Sequence, residues 1–332
     1  MTLPAHQSEP AALVACMRNE GMFLLEWLAY HMGLGFDRIV VVTNDCTDGS
    51  DALLDRLQER GIVTHIRQTV PAGTPPQDHG MSLAMARLRR EGVVWVLHID
   101  SDEFLLIEAG DGRIADLMAR VAGADVVALP WRMFGDAGLT DWRIGANVLE
   151  ENTRAEFGPI PGVTRFKCLF RLASFARATD HNPLEPLVSD PRVVTPDGKP
   201  LMNRTLYNAR SSRFRPDERA CNVRTARINH YAVKSEDRFL LRNDRGSGQG
   251  KPAGVKYVLG GNWHLLANRN EVEDRAILRH WPETSARLVD LRDDPETAQL
   301  ERHCLDWFAE RRTAILTPET RALWTRTAEA QA

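Results

Sequence analysis

Val93-Val94-Trp95-Val96-Leu97-His98-Ile99-Asp100-Ser101-Asp102-Glu103-Phe104 is the stretch from which the fold is read. Apolar residues, many of them β-branched, run almost without a break and stop at two carboxylates one residue apart. Such a run reads as a strand buried on both faces, as parallel strands in α/β sheets are. Asp100 and Asp102 then stand at the strand's carboxyl end, where open α/β sheets hold their ligands. Two acids so close repel unless a cation or a set of donors joins them. Hard oxygen ligands, few in number, suit Mg2+ or Mn2+ that keeps waters and also grips a phosphate. The plainer reading is a polar turn with Asp102 as a cap, because Asp-x-Asp alone is common.

Upstream of that strand the chain alternates. Ala11–Met17 reads as a strand, and Asn19 as the N-cap of a helix from Met22 to His31 that ends at Gly33 and Gly35. Ile39–Val42 is a second buried strand. The polar loop Thr43 to Ser50 then opens a helix over Asp51–Arg60, with Asp48 as a candidate cap. Ile62–Arg67 is a third strand, and a Pro-rich loop leads to a helix over Gly80–Glu91. Repeated βα units predict a mostly parallel sheet flanked by helices. Downstream, a helix is expected around Ile114–Val121 and a strand over Val126–Pro130. The pattern then weakens, with Thr164–Arg171 strand-like, Ser235–Arg242 helical and Gly246–Gly261 a Gly-rich connection, and helical periodicity returns after Glu271.

Composition narrows the class. The chain has 332 residues, 43% hydrophobic and 26% charged, which fits a soluble protein with a sizeable core of one large domain or two. A formal net charge of -3 gives no general attraction to nucleic acid or anionic membrane. No apolar run approaches the ~20 residues of a membrane span, and Met1–Pro10 lacks the pattern of a signal peptide. Five scattered cysteines without a C-x-x-C pair fit reduced thiols in a cytoplasmic protein.

Three polar loops, at Asn19-Glu20, Thr43–Ser50 and Asp100–Glu103, each follow a strand and precede other structure. In a parallel sheet they open on one edge, so one ligand could touch all three. No G-x-G-x-x-G follows the first strand, which argues against a dinucleotide cofactor. Gly246, Gly248 and Gly250 precede Lys251, but Pro252 replaces the Ser or Thr of a phosphate-binding loop. Basic residues crowd the span from Arg204 to Arg245, including Arg213, Arg215, Arg219, Arg227 and Arg238. They form a solvated face, a diphosphate-binding set or a nucleic-acid surface, the last disfavoured without interleaved aromatics or an overall basic charge. His181 and His230 lie in polar stretches, and each reads as a structural hydrogen-bonder or a ligand. Trp131 and Trp142 read as core anchors or as stacking surfaces for a sugar ring.

Several motifs in order carry a resemblance: Cys16-Met17-Arg18-Asn19-Glu20, Leu25-Glu26-Trp27-Leu28-Ala29-Tyr30-His31, Asn44-Asp45-Cys46-Thr47-Asp48-Gly49-Ser50 and His98-Ile99-Asp100-Ser101-Asp102-Glu103-Phe104. Trp131-Arg132-Met133-Phe134-Gly135, Lys167-Cys168-Leu169-Phe170-Arg171 and Asn229-His230-Tyr231 add to it. Over residues 11–250 the chain resembles bacterial glycosyltransferase family 2-like proteins, which are related to the family 92 group. The resemblance implies a GT-A fold, a nucleotide-diphosphate-sugar donor and Mn2+ or Mg2+ held by Asp100 and Asp102. By analogy, His230 is a third metal ligand. Asn19, Glu20, Asn44 and Asp45 would line the nucleotide pocket, although relatives usually carry Asp where this chain has Thr43. Lys234, Arg242 and Arg245 would contact the diphosphate. An inverting reaction needs a carboxylate to deprotonate the acceptor; Asp180 beside His181 leads, followed by Asp136 and Asp237.

The expectation is an α/β protein with a GT-A-like sheet over residues 9–262, its donor half 9–130 and its acceptor half 131–262. A C-terminal helical extension occupies 263–332. The expected activity is metal-dependent transfer of a sugar to a glycan or glycoconjugate in polysaccharide biosynthesis, with no nucleic-acid partner. The expected place is the cytoplasm, with peripheral contact at the inner face of the membrane allowed. The alternatives are a metal-dependent nucleotidyltransferase and a non-catalytic nucleotide- or glycan-binding protein.

Overall fold

The computed structural model describes residues 9–202, 204–207, 218–221, 223–245 and 256–326. The first half runs β1 (Ala11–Met17), α1 (Gly21–Gly33), β2 (Arg38–Thr43), α2 (Ser50–Glu59), β3 (Thr64–Arg67), α3 (Pro76–Arg90), β4 (Trp95–His98), β5 (Glu103–Ile107), α4 (Ile114–Arg120) and β6 (Val126–Met133). Shorter pieces follow: α5 (Val148–Glu151), β7 (Arg154–Ala155), β8 (Phe166–Arg171), β9 (Phe175–Ala178), β10 (Pro183–Pro186), β11 (Val193–Val194) and β12 (Pro200–Leu201). The chain continues through β13 (Ala226–His230), α6 (Glu236–Arg245), α7 (Asn262–Ala267) and β14 (Val272–Glu273) to α8 (Trp281–Arg292), α9 (Pro295–Ile315) and α10 (Pro318–Leu323).

The main sheet is ordered β12-β11-β6-β8-β4-β1-β2-β3, and β13 joins β6 to β5. Strands β4, β1, β2 and β3 are parallel, as the βα alternation requires. The architecture is a mixed, mostly parallel α/β sheet with helices against it and further helices at the C-terminus. β8 breaks the pattern, antiparallel to both β4 and β6, and the β11–β12 and β5–β13 pairs are antiparallel as well. An apolar run shows that a strand is buried but carries no sign of its direction.

Side chains alternate across this sheet because successive Cβ atoms point to opposite faces. Along β1, Leu13 and Ala15 enter one core with α1 and α2, while Ala12 and Val14 enter the other with α3. The C-terminal helices contribute Leu288, Leu291, Cys304 and Phe308 to the first of these cores. At the start of α1, Gly21 leaves room for this packing: a Cβ there would lie 2.4 Å from Cys304 Sγ.

Local chemistry differs from the expected caps. Asn19 does not cap α1 but holds the loop after β2, its Oδ1 accepting from Thr47 N at 2.8 Å. Asp48 serves two helix starts, accepting from Gly21 N at 2.8 Å and from Ser50 N at 2.9 Å. The acidic pair sits at a bend between β4 and β5, and β5 turns away to pair antiparallel with β13.

Candidate active site

The loops after β1, β2 and β4 do open on one edge and line a cleft of about 160 Å³. Arg18, Asn44, Gln77, Asp100 and Asp102 belong to its lining. So do Trp131, Arg165, Asp180, His181, His230, Arg242, Lys256 and Trp263. β13 delivers His230 beside Asp102 because its antiparallel register sets His230 against Glu103.

Both aspartates already have cationic partners. Asp100 Oδ2 lies 3.2 Å from Lys167 Nζ, and its Oδ1 accepts from Gln77 Nε2 at 2.7 Å. Asp102 Oδ2 accepts from Arg242 at 2.8 Å, while its Oδ1 lies 3.5 Å from His230 Nε2. Burial alone would raise both carboxyls, but the cations win. Lys167 and His98 hold Asp100 below the usual carboxylate range, and Arg242 with His230 holds Asp102 well below it. Glu103, buried beside them with its Oε2 accepting from Asp100 N at 2.9 Å, goes the other way. Burial pushes its carboxyl well above the ordinary value, against Lys167 and with help from the two aspartates. Burial also lowers His230 and His181, the latter to about 4, so the His181 imidazole is neutral at pH 7.

The aromatic side of the cleft is built around Trp131, whose ring centroid lies 4.3 Å from that of His230 and 5.2 Å from that of His181. Arg165 lies over both Trp131 and Trp263, and Lys256 over Trp263 at 5.1 Å. Trp142, by contrast, is a core residue edge-on to Phe23.

Of the residues expected in the site, Asn44, Asp100, Asp102, Asp180, His230 and Arg242 come together in the cleft lining. The others are placed elsewhere. Asp136 is tied by Asn268 Nδ2 at 2.7 Å, Asn270 Nδ2 at 3.2 Å and Gly138 N at 2.9 Å. Asp237 accepts from Trp142 N, Arg238 N and Arg312 and has no exposed side-chain surface. Neither carboxylate lines the cleft, and their donors leave no oxygen directed to an acceptor there. Asn19 is committed to Thr47, and Glu20 lies buried 3.6 Å from Arg238. Asp45 is exposed and bonded to Asn44, while Lys234 lies over the Phe23 ring at 4.8 Å. Burial lowers Lys234 to about 8. Arg245 ends α6 and Arg219 lies in a short helical turn, but the side chains of both, and Arg213, Arg215 and the glycines at 246, 248 and 250, lie outside the described residues. Arg227, in the same basic span, pairs with Glu108 and Asp274.

Lys167, Gln77, Arg165, Lys256 and Trp263 were not singled out from the sequence as site residues. Lys167 had a signal of its own, one charge inside the otherwise apolar Phe166–Phe170, since a buried charge is costly without a partner. The others come from loops and helix ends with no periodicity to mark them.

The sequence profile described as "Glycosyltransferase family 92" matches residues 12–183, which span β1 to β10 and most of the cleft. The chain belongs to glycosyltransferase family 92. A family 92 protein of Ricinus communis is 33% identical over 107 residues, covering 31% of this chain and 18% of that protein. One of Oryza sativa subsp. japonica is 30% identical over 89 residues, covering 27% of this chain and 15% of that protein. The matches thus span less than a quarter of these relatives' own length. Among solved structures, S. aureus TarS 1-349 aligns with a TM-score of 0.31 at 15% identity, over 49% of this chain and 47% of that one. Glucosyl-3-phosphoglycerate synthase from Mycobacterium tuberculosis aligns with a TM-score of 0.26 at 14% identity, over 37% of this chain and 44% of that one.

Proposed function

We propose that this family 92 glycosyltransferase is metal-dependent, with a GT-A-type donor site. In this reading it moves a sugar, with inversion, from a nucleotide-diphosphate donor to a glycan or glycoconjugate acceptor in polysaccharide assembly. Its proposed station is the cytoplasm, in keeping with free cysteines throughout the described residues. The observation that carries the reading is the convergence of Asp102 Oδ1 and His230 Nε2, 3.5 Å apart, on a cleft that also holds Asp100 and Arg242.

The donor set fits Mn2+ or Mg2+. Two ligand atoms at right angles on an ion with ~2.1 Å bonds lie about 3.0 Å apart, so the 3.5 Å Asp102–His230 separation would close by about half an ångström on binding. Among the described residues no three His, Cys, Asp or Glu side chains form a cage for an ion. Asp102 and His230 would therefore hold it as a pair, with water and phosphate oxygens filling the shell. When bound, such an ion neutralises charge on a departing diphosphate.

The chain's own residues supply the rest. Arg242 and Lys256 face the same cleft and offer cationic donors to diphosphate oxygens. Trp131 and Trp263 offer aromatic faces to a sugar ring. Asp180, its Oδ2 3.7 Å from His181 Nε2, is the carboxylate in the lining best placed to take the acceptor proton.

A thermal-shift screen of UDP-, GDP- and CMP-sugars with and without Mn2+ tests the donor assignment, since stabilisation follows ligand affinity. With the donor found, Asp102→Asn is expected to lower transfer about a thousandfold. Turnover unchanged in that variant, or pyrophosphate as the released product, would reject the proposal.

A further inference from the structure

We propose that Lys167 is a positioning residue that keeps Asp100 out of the metal's coordination shell and fixes the Asp180 turn to the acidic pair. The proposal rests on the metal-dependent reading above and goes beyond it by dividing the work between the two aspartates.

The Lys167 side chain has no solvent exposure. Its Nζ lies 3.2 Å from Asp100 Oδ2, 3.4 Å from Glu103 Oε2 and 2.8 Å from the main-chain oxygen of Asp180. The stem rises from β8 in the middle of the sheet, with Lys167 in register with Leu129 of β6. An ammonium in such a place stays only while its partners stay, because no water can replace them. Each Asp100 oxygen already accepts from a side chain, Oδ2 from Lys167 and Oδ1 from Gln77 Nε2 at 2.7 Å, so an ion at either one would compete with a bound donor.

Asp102 is held differently. Its cationic partner, Arg242, comes from α6 at the edge of the cleft, and that side chain is 17% exposed. A guanidinium so placed can leave the carboxylate and turn to a diphosphate without leaving the cleft. Asp102 would therefore be the carboxylate that exchanges its cation, Arg242, for a bound dication, while Lys167 would stay on Asp100.

The second half of the role concerns Asp180. Its carbonyl accepts from Lys167 Nζ and from His98 Nδ1 at 3.1 Å, so two buried side chains, one on β8 and one on β4, hold the turn that carries it. Lys167 thus fixes the distance between the acidic pair and the carboxylate assigned to the acceptor proton.

Mn2+ affinity of the full chain, measured by calorimetry without a sugar nucleotide, separates this role from a merely structural one. Removing a fixed positive charge beside the site is expected to tighten Mn2+ binding in Lys167→Met by about tenfold. Asp100→Asn should weaken binding about tenfold, as loss of an anion outside the shell does. The double variant should return close to wild type. Asp102→Asn, which removes a ligand, should weaken binding by about a thousandfold. A Lys167→Met protein that binds Mn2+ no more tightly than wild type overturns the proposal. Where that variant does not fold, equal losses in Asp100→Asn and Asp102→Asn overturn it. Wild-type protein that takes up no Mn2+, or an Asp102→Asn variant matching wild type, refutes the metal site itself and so is told apart from failure of the Lys167 role alone.

Discussion

Glu26 of α1 carries a clear pH signature. Its carboxylate accepts from Val148 N at 2.8 Å and Leu149 N at 2.9 Å, closing the start of α5, yet burial raises it to about 7. Between its ordinary value and about 7 the folded chain holds a proton that the unfolded chain has lost, so stability falls as pH rises through that window. The contribution is whole below the unfolded value and gone above about 7, with a span of about 3 kcal/mol. Urea unfolding at pH 5 and pH 7.5 should show this decline in wild type and a smaller one in Glu26→Gln. At this scale Asp100 and Asp102 were legible because an apolar run ends on them. Asp136 and Asp237 looked equally free in one dimension. Besides local donors such as Gly138 N and Arg238 N, the side chains of Asn268, Asn270 and Arg312 reach them from far along the chain, which no local pattern shows.

Elements were easier to read than their caps and directions. The strands β1, β2 and β4 and the helices between them follow from periodicity, but α3 starts at Pro76, four residues before the expected Gly80. Proline at the first turn costs no hydrogen bond, so the Pro-rich loop could become helix. β5 and β13 are not anticipated as strands, because each is short and their partners, each other and β6, lie far apart in the chain. The junction of α1 with α9 gives a sharp test. Gly21→Ala brings a methyl within 2.4 Å of Cys304 Sγ and should cost about 1–3 kcal/mol in denaturant unfolding. Gly21→Ala with Cys304→Ala should recover most of that loss, whereas a helix-propensity effect alone would make the single variant more stable.

For the whole molecule, the helical period after Glu271 showed that helices were coming but not what their apolar faces would meet. Leu288, Leu291, Cys304 and Phe308 enter the core shared by β1 and α1. A chain ending after Ala267 should therefore lose cooperative unfolding and bind an apolar dye, rather than persist as a trimmed enzyme. A cooperative transition in the shortened chain would contradict this. The antiparallel β8 has a consequence of its own during synthesis. β4 leaves the ribosome about seventy residues before the strand that will lie along its open side. Through that interval a hydrophobic edge waits unpaired, so the nascent chain depends on shielding until its later segment threads back between two finished neighbours.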